Sequence, residues 1–206
     1  MKILQQLTAE QQHFFRDCIG VAFENSASAF SKFLNKDVKI KSLAIVSDFE
    51  NNPSTLVADN IYILVSELRG KIRGKCYLNF TEKDANVLFQ LALLPSYVND
   101  KTMQKAILLE LDNILTASVV SILSNTFKIS SYAFVPELFV GNNNYLEKLL
   151  KRDYVEKKLI LQFNTGFTIA NHDFESEFIW IFDQAILEIV ESHFNGLEQQ
   201  PTVSNI

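Results

Sequence analysis

The hydrophobic pattern of the first half of the chain predicts a helix, several strands and a second helix. Apolar residues recur at three- and four-residue steps from about Ala9 to Leu34, the spacing of an amphipathic helix, with Gly20 as its candidate break. Apolar and charged residues then alternate from Lys36 to Val46, which is typical of a strand. Two further strands and a helix with a Thr81/Asp84 capping box are predicted over Ile61–Leu68, Lys75–Phe80 and Glu82–Leu93.

The second half repeats this order. A second long helix is predicted from Lys101 to Asn125, where apolar residues again follow the helical period. A closing helix over Asp183–Phe194 is predicted to end at Asn195–Gly196, since these residue types favour the left-handed conformation that terminates helices. Between the two helices the pattern predicts strands over Lys128–Phe134, Lys157–Phe163 and Phe174–Phe182, with a tight turn at Thr165–Gly166 followed by more strand to Ile169.

The two halves align at a constant offset of 93 residues, which places Asp17 over Glu110 and Ser31 over Ser124. An acidic residue opens each copy, and a helical apolar pattern runs through both. We therefore predict an α/β (α+β) fold in which residues 1–196 form one domain of two related halves, about 9–95 and 101–196. Residues 197–206 are predicted to form a flexible, solvated tail.

Composition indicates that the whole chain folds, and it narrows the expected partners. Hydrophobic residues make up 48% and charged residues 21%, with only 6 Gly and 4 Pro, which is too apolar for disorder. The net charge of −5 argues against nucleic acid as a partner. The N-terminus has no signal-peptide pattern and no run reaches roughly 18 apolar residues, so we expect a cytoplasmic protein that does not contact membranes.

The cysteines and histidines do not form a pattern that predicts a metal site. Cys18 and Cys76 stand alone, without a CxxC or a Cys/His cluster, and are interpreted as small buried hydrophobes. The three histidines, interpreted as surface or packing residues, are scattered along the chain: His13, His172 and His193.

One group of polar residues points to chemistry. Glu110 and Asn113 are three residues apart in the second long helix, so a carboxylate and a carboxamide share one helical face. Pro136 follows Asn113 with 22 residues between them. Without that proline, we would interpret Glu110 as an ordinary solvated carboxylate and Asn113 as a residue that forms hydrogen bonds within the fold. Asp112, beside the pair, is expected to be solvated.

With the proline, the sequence resembles the CheC/CheX/FliY phosphatases, whose pattern is an Asp or Ser, three residues, Glu, two residues, Asn, 22 residues and Pro. Glu110, Asn113 and Pro136 match this pattern in type and spacing. The stretch Leu109-Glu-Leu-Asp-Asn-Ile-Leu-Thr-Ala-Ser118 is also similar to the family's Glu-Ile-Gly-Asn-Ile-Leu-Ala-Gly-Ser. The resemblance implies a CheC-like fold: a pseudo-twofold repeat with a central, largely antiparallel sheet and two long helices on one face.

The resemblance also implies a function, dephosphorylation of a phosphorylated CheY-like response regulator in chemotaxis or two-component signalling. Asn113 would orient the attacking water, as Gln does in the GTPases, and Glu110 would dock onto the regulator's active-site lysine. No cofactor is implied for this chain, because the Mg²⁺ that neutralises the acyl phosphate belongs to the regulator. The similar CheX branch implies a homodimer.

The sequence departs from the family pattern at two places. The opening Asp or Ser falls on Ala106, which has no side-chain hydrogen-bonding group. In the first repeat the corresponding positions are Asp17 and Gly20, with Leu43 where the proline would fall, so that site is predicted to be silent. These departures keep two alternatives open: a CheC-like binding module without useful turnover, and a structural component resembling the flagellar switch proteins.

Overall fold

The computed structural model describes residues 7–46, 56, 58–153 and 158–198. Within those ranges the chain forms five helices and seven strands. The helices are α1 (Ala9–Leu34), α2 (Glu82–Ala92), α3 (Lys101–Phe127), α4 (Asn143–Asp153) and α5 (Ala185–Glu198). The strands are β1 (Val38–Val46), β2 (Ile61–Gly70), β3 (Gly74–Thr81), β4 (Ser131–Ala133), β5 (Glu137–Gly141), β6 (Lys158–Ile169) and β7 (His172–Asp183).

The strands form one antiparallel sheet whose order is symmetric. It runs β1-β6-β7-β3-β2, and β4 and β5 both pair with the outer edge of β2. Each strand has a counterpart in the other half: β2 corresponds to β6, β3 to β7, and β1 to the β4–β5 pair. Replacing each strand by its counterpart gives the same order read from the opposite edge of the sheet. The predicted pseudo-twofold repeat is therefore confirmed, with its axis between β3 and β7.

The two long helices lie side by side on one face of this sheet. Ser26 of α1 donates its hydroxyl to the Leu115 carbonyl of α3 at 3.2 Å, which ties the helices together at a buried position. Alternate strand residues pack beneath them, among them Leu64, Leu78 and Phe178. The other strand face carries a second apolar cluster beneath α4, formed by residues that include Ile63, Tyr77, Leu146, Leu150 and Ile179. The predicted fold class is confirmed.

Several sequence predictions hold in detail. α1 covers the predicted range and is unbroken at Gly20, where an added Cβ would meet no atom within 4 Å. Thr81 caps α2, accepting the Asp84 amide at 3.1 Å. Both cysteines are buried. The expectation that the histidines lack an acidic partner is wrong for His13, whose Nε2 lies 3.5 Å from the Asp17 carboxylate one helical turn away.

Other predictions are wrong at the level of elements. β6 runs without a turn through Thr165–Gly166, because β1 and β7 pair with both residues from either side and favour extended backbone there. The hairpin turn falls instead at Ala170 and Asn171, both at positive φ, which gives the primed turn that antiparallel hairpins prefer.

The ends of the closing helix and of the fourth strand also differ from expectation. α5 continues through Asn195–Gly196 to Glu198, and its last turns are held where His193 stacks on Phe14 with ring centroids 5.5 Å apart. The predicted strand over Lys128–Phe134 shrinks to β4, because Lys128 is the left-handed C-cap of α3. β5 and α4 were not predicted. Residues 199–206 of the expected tail lie outside the described residues.

Candidate functional site

The candidate site lies on α3, a helix that is capped at both ends. Asp100 caps the N-terminus by accepting the amides of Thr102 and Met103 at 2.8 and 3.2 Å. At the other end Lys128 adopts the left-handed conformation, and its N–H donates to carbonyls of the last turn. Because the helix also packs against α1 and the sheet, its outer face is a rigid platform for side chains.

The structure brings Glu110 and Asn113 to that outer face. Both are exposed, and so are Ala106 and Ala117, one turn before and one turn after the pair. The four residues form a strip along the helix, which we call the α3 strip. In the part of the chain that the structure describes, neither Glu110 nor Asn113 donates or accepts a side-chain hydrogen bond, so both polar groups are available to a partner.

Pro136 lies in the short connection between β4 and β5 and is buried. Both strands pair with β2 and contact α3. The ladder breaks there: Ala133 pairs with Leu68 and Glu137 with Val65. A residue without a backbone N–H is tolerated at such a break. Pro136 therefore occupies a buried structural position in the break between β4 and β5.

Asp112 contradicts the expectation that it is solvated. Its side chain is fully buried, and the Ser66 hydroxyl of β2 donates to its Oδ2 at 2.5 Å. Thr116, one turn along, lies 3.5 Å from Oδ1 and also contacts Cys76. Burial raises the pKa of the Asp112 carboxyl to about 7, against the opposing effect of the two hydroxyls. The sequence held a signal for this, because Leu108 and Leu115 place position 112 in the apolar stripe.

The corresponding place on α1 carries less chemistry. Asp17 is exposed, and Gly20 offers no side chain. The position of Leu43 falls within β1, where its backbone pairs with Thr165 of β6, so no proline-containing break occurs there. The first repeat thus presents a carboxylate beside His13 and no amide, as the alignment of the halves predicts.

The described residues contain no candidate metal site and one long apolar helix. Among them no group of three or more His, Cys, Asp or Glu side chains could hold a metal ion. Of the helices that the structure describes, one, α3, is long and apolar enough to cross a bilayer by length and composition alone. Its apolar side packs against α1 and the sheet, as in the core helix of a globular domain.

Comparison with known proteins identifies the fold. No protein-family model matches the chain, and no curated protein matches its sequence. Among solved structures, Thermotoga maritima FliY superposes with a TM-score of 0.69 at 13% identity, over 94% of this chain and 98% of FliY. The chain has the CheC/CheX/FliY fold.

Two further matches have the same fold. A chain of the CheX–CheY–BeF3–Mg complex from Borrelia burgdorferi matches with a TM-score of 0.53 at 13% identity, over 80% of this chain and 97% of that one. A chain of the FliG–FliM complex from H. pylori matches with a TM-score of 0.61 at 12% identity, over 88% of this chain and all of that one. The CheC/CheX/FliY fold expected from the motif is thus confirmed. The roles of Glu110, Asn113 and Pro136 within it stay predictions.

Proposed function

We propose that this protein is a phosphatase that hydrolyses the aspartyl phosphate of a CheY-like response regulator, in chemotaxis or two-component signalling. The observation that carries the proposal is the exposed Glu110 and Asn113 pair, one turn apart on the α3 strip and without partners in the described chain. The family-like spacing to Pro136 and a neighbour solved in complex with CheY support it. The cytoplasm, where response regulators reside, is the proposed location.

The reaction asks little covalent chemistry of this chain. A water oxygen attacks phosphorus, the bond from phosphorus to the aspartyl oxygen breaks, and the products are inorganic phosphate, a free Asp carboxylate and a proton released to solvent. Such transfers are accelerated mainly by positioning and electrostatics. The Asn113 carboxamide can accept a hydrogen bond from the water and hold it in line with the breaking bond. The regulator's own Mg²⁺ neutralises the phosphoryl oxygens.

Glu110 contributes to binding in this proposal. Its carboxylate, one helical turn from Asn113, forms a charge-assisted hydrogen bond with the regulator's active-site lysine and sets the register of α3 on the regulator. That contact exists before the chemistry begins. Glu110 and Asn113 should therefore respond differently to mutation. The homodimer implied by the resemblance to CheX stays a prediction.

The test measures phosphate release and affinity with a phosphorylated CheY-like regulator from the same genome. Asn113→Ala should lower turnover about 10²-fold with the dissociation constant nearly unchanged, because water orientation acts mainly in the transition state. Glu110→Ala should raise the dissociation constant roughly ten- to a hundredfold, since a charge-assisted bond is worth about 1.5–3 kcal/mol.

Each variant has a matched control elsewhere in the chain. Asn125→Ala removes an exposed carboxamide from the same helix, about 18 Å further along at 1.5 Å per residue. Asp17→Ala removes the carboxylate of the first repeat and should leave turnover within about twofold, below roughly 0.5 kcal/mol of barrier. Full turnover in Asn113→Ala would show that the proposed mechanism is wrong.

A second candidate function, a regulator-binding module, is favoured by one observation. Ala106 lies on the α3 strip with only a methyl group, where the family pattern has Asp or Ser. If the wild-type protein binds the phosphorylated regulator without speeding phosphate loss, this function replaces the first. Ala106→Ser should then restore acceleration if the missing hydroxyl is the cause.

A further inference from the structure

The proposed mechanism does not use Asp112, although this residue lies in the same helical turn as Glu110 and Asn113. Its carboxyl points away from the α3 strip and is completely buried. The 2.5 Å bond from Ser66 joins it to the middle of β2, and Ser66 is itself fully buried. This bond ties the turn of α3 that carries the site to a central strand.

No cation among the described residues compensates a charge at Asp112. The polar groups that face it are the Ser66 hydroxyl from β2 and the Thr116 hydroxyl from α3, with the Cys76 thiol of β3 next to Thr116. The described charged side chains on the elements packed against α3 are partly or fully exposed, and none pairs with Asp112: Glu10, Arg16, Asp17, Glu24, Lys32, Glu67, Arg69, Lys75, Glu82, Lys83, Asp84, Glu137, Glu188 and Glu191. A carboxylate in this place is a buried charge without a counterion.

We propose that Asp112 is a positioning residue for Glu110 and Asn113. Its neutral, hydrogen-bonded carboxyl holds α3 against β2 and so fixes where these two side chains lie, and its ionisation weakens that contact. The inference rests on the proposed function only for the roles of Glu110 and Asn113. The resembling family stretch has glycine at this position, so the role belongs to this chain. Burial brings the pKa of the carboxyl to about 7, which places the change within the physiological range.

Ionisation of Asp112 would change the position of α3. As the pH rises, Asp112 releases its proton to solvent and leaves a carboxylate that the Ser66 and Thr116 hydroxyls solvate incompletely. The helix relieves this by shifting or by admitting water, and a rigid helix moves its whole outer face with it. A misplacement of about 1 Å at a positioning site can cost about a hundredfold in rate. The site is therefore expected to work best at the acidic side of neutrality.

The deciding measurement is an NMR titration of the full-length protein without a partner. The backbone amides of Glu110 and Asn113 should titrate together with a midpoint near pH 7, and Asp112→Asn should abolish the transition because an amide keeps the Ser66 bond and does not ionise. His13→Asn, which removes an exposed histidine from the neighbouring helix, should leave it in place. Amides that show no such transition in the wild-type protein overturn the inference.

Ser66→Ala provides a second variant if Asp112→Asn does not fold. The Ser66 hydroxyl lowers the pKa of Asp112, so its loss should move the amide midpoint to higher pH. A midpoint that stays in place in Ser66→Ala contradicts the assignment of the transition to Asp112.

Phosphate release adds a functional readout that a merely structural role would not move. If only the neutral form is competent, about a tenth of the wild-type protein remains active at pH 8. The ratio of the Asp112→Asn rate to the wild-type rate on the same regulator should then rise from near one at pH 6 to about tenfold at pH 8. A flat ratio overturns the positioning role. If neither the wild-type protein nor Asp112→Asn shows turnover but the amide titration is present, the proposed function is overturned and the role of Asp112 in holding α3 against β2 is supported.

Discussion

At the scale of single residues, Asp112 makes the stability of the fold depend on pH. Its pKa is about 7 in the folded chain against an ordinary 3.8, so the folded state holds the proton more tightly than the unfolded state. The contribution of Asp112 to stability is therefore greatest at acid pH, falls as the pH rises from about 4 to about 7, and is constant above that range. Glu67 and Asp173 act in the opposite sense, since their bonds to Arg69 and Lys41 lower their pKa values. So does Asp153, where burial raises the pKa but the bonds from Lys75, Tyr77 and Arg152 together lower it.

We expect Asp112→Asn to isolate this contribution. The free energy of unfolding of the variant, measured in urea, should gain about 3–4 kcal/mol relative to the wild type between pH 4 and pH 8, because each pKa unit is worth about 1.4 kcal/mol. The two proteins should be close in stability at pH 4, where the side chain at position 112 is neutral in both folded proteins. A difference that is the same at both pH values would show that the folded-state pKa is not raised.

At the scale of elements, the β6–β7 hairpin has an unfavourable residue in its turn. Ala170 has φ 47° and Asn171 has φ 69°, as the two central residues of a primed two-residue turn. Asn tolerates this left-handed conformation better than Ala does, because its side chain bonds locally to the backbone. The pairing of Ile169 with His172 fixes the turn, so the strain at Ala170 is not relieved by a change of register.

Ala170→Asn is expected to stabilise the protein by about 0.5–1 kcal/mol in urea unfolding. The same change at an exposed helical position, Ala106→Asn, should destabilise it by about 0.6 kcal/mol, because Asn is a poorer helix former than Ala. Equal effects at the two positions would contradict the turn assignment.

At the scale of the whole molecule, the halves share both their sheet and their helix layer. β3 of the first half pairs with β7 of the second at the centre of the sheet, and α1 packs against α3. Gly74 lies at this junction, where an added Cβ would be 1.9 Å from the Ile181 carbonyl oxygen. Each half alone would expose a central strand and half of the apolar core.

We therefore predict that the chain unfolds in one cooperative transition. Fluorescence of Trp180, buried on β7, should change at the same urea concentration as far-UV circular dichroism, which reports all the helices. Residues 1–95 and 101–206 expressed separately should remain largely unfolded. Two resolved transitions, or a folded half, would show that the halves are independent domains.

In the candidate site, the sequence alone predicted the helix and the shared face of Glu110 and Asn113. The helical period of residues 101–125 predicted α3, and a three-residue spacing on a helix is enough to put Glu110 and Asn113 on one face. The exposure of that face was read from the structure, because apolar residues occur all around this helix and the sequence also allowed Asn113 to bond within the fold. The helix and the shared face are local features, because they depend on the geometry of a single helix, and the structure places both side chains as predicted.

The duplicated order of elements was also determined by the sequence, since the 93-residue offset and the alternation of apolar residues are properties of the chain itself. Tertiary structure decided what depends on neighbours distant in sequence. Thr165–Gly166 is extended because two strands bond to it, and Asp112 is buried because Ser66, 46 residues away, meets it inside the fold. A carboxylate next to a helical motif is ordinarily solvated, and only the packing of α3 on β2 removes it from water.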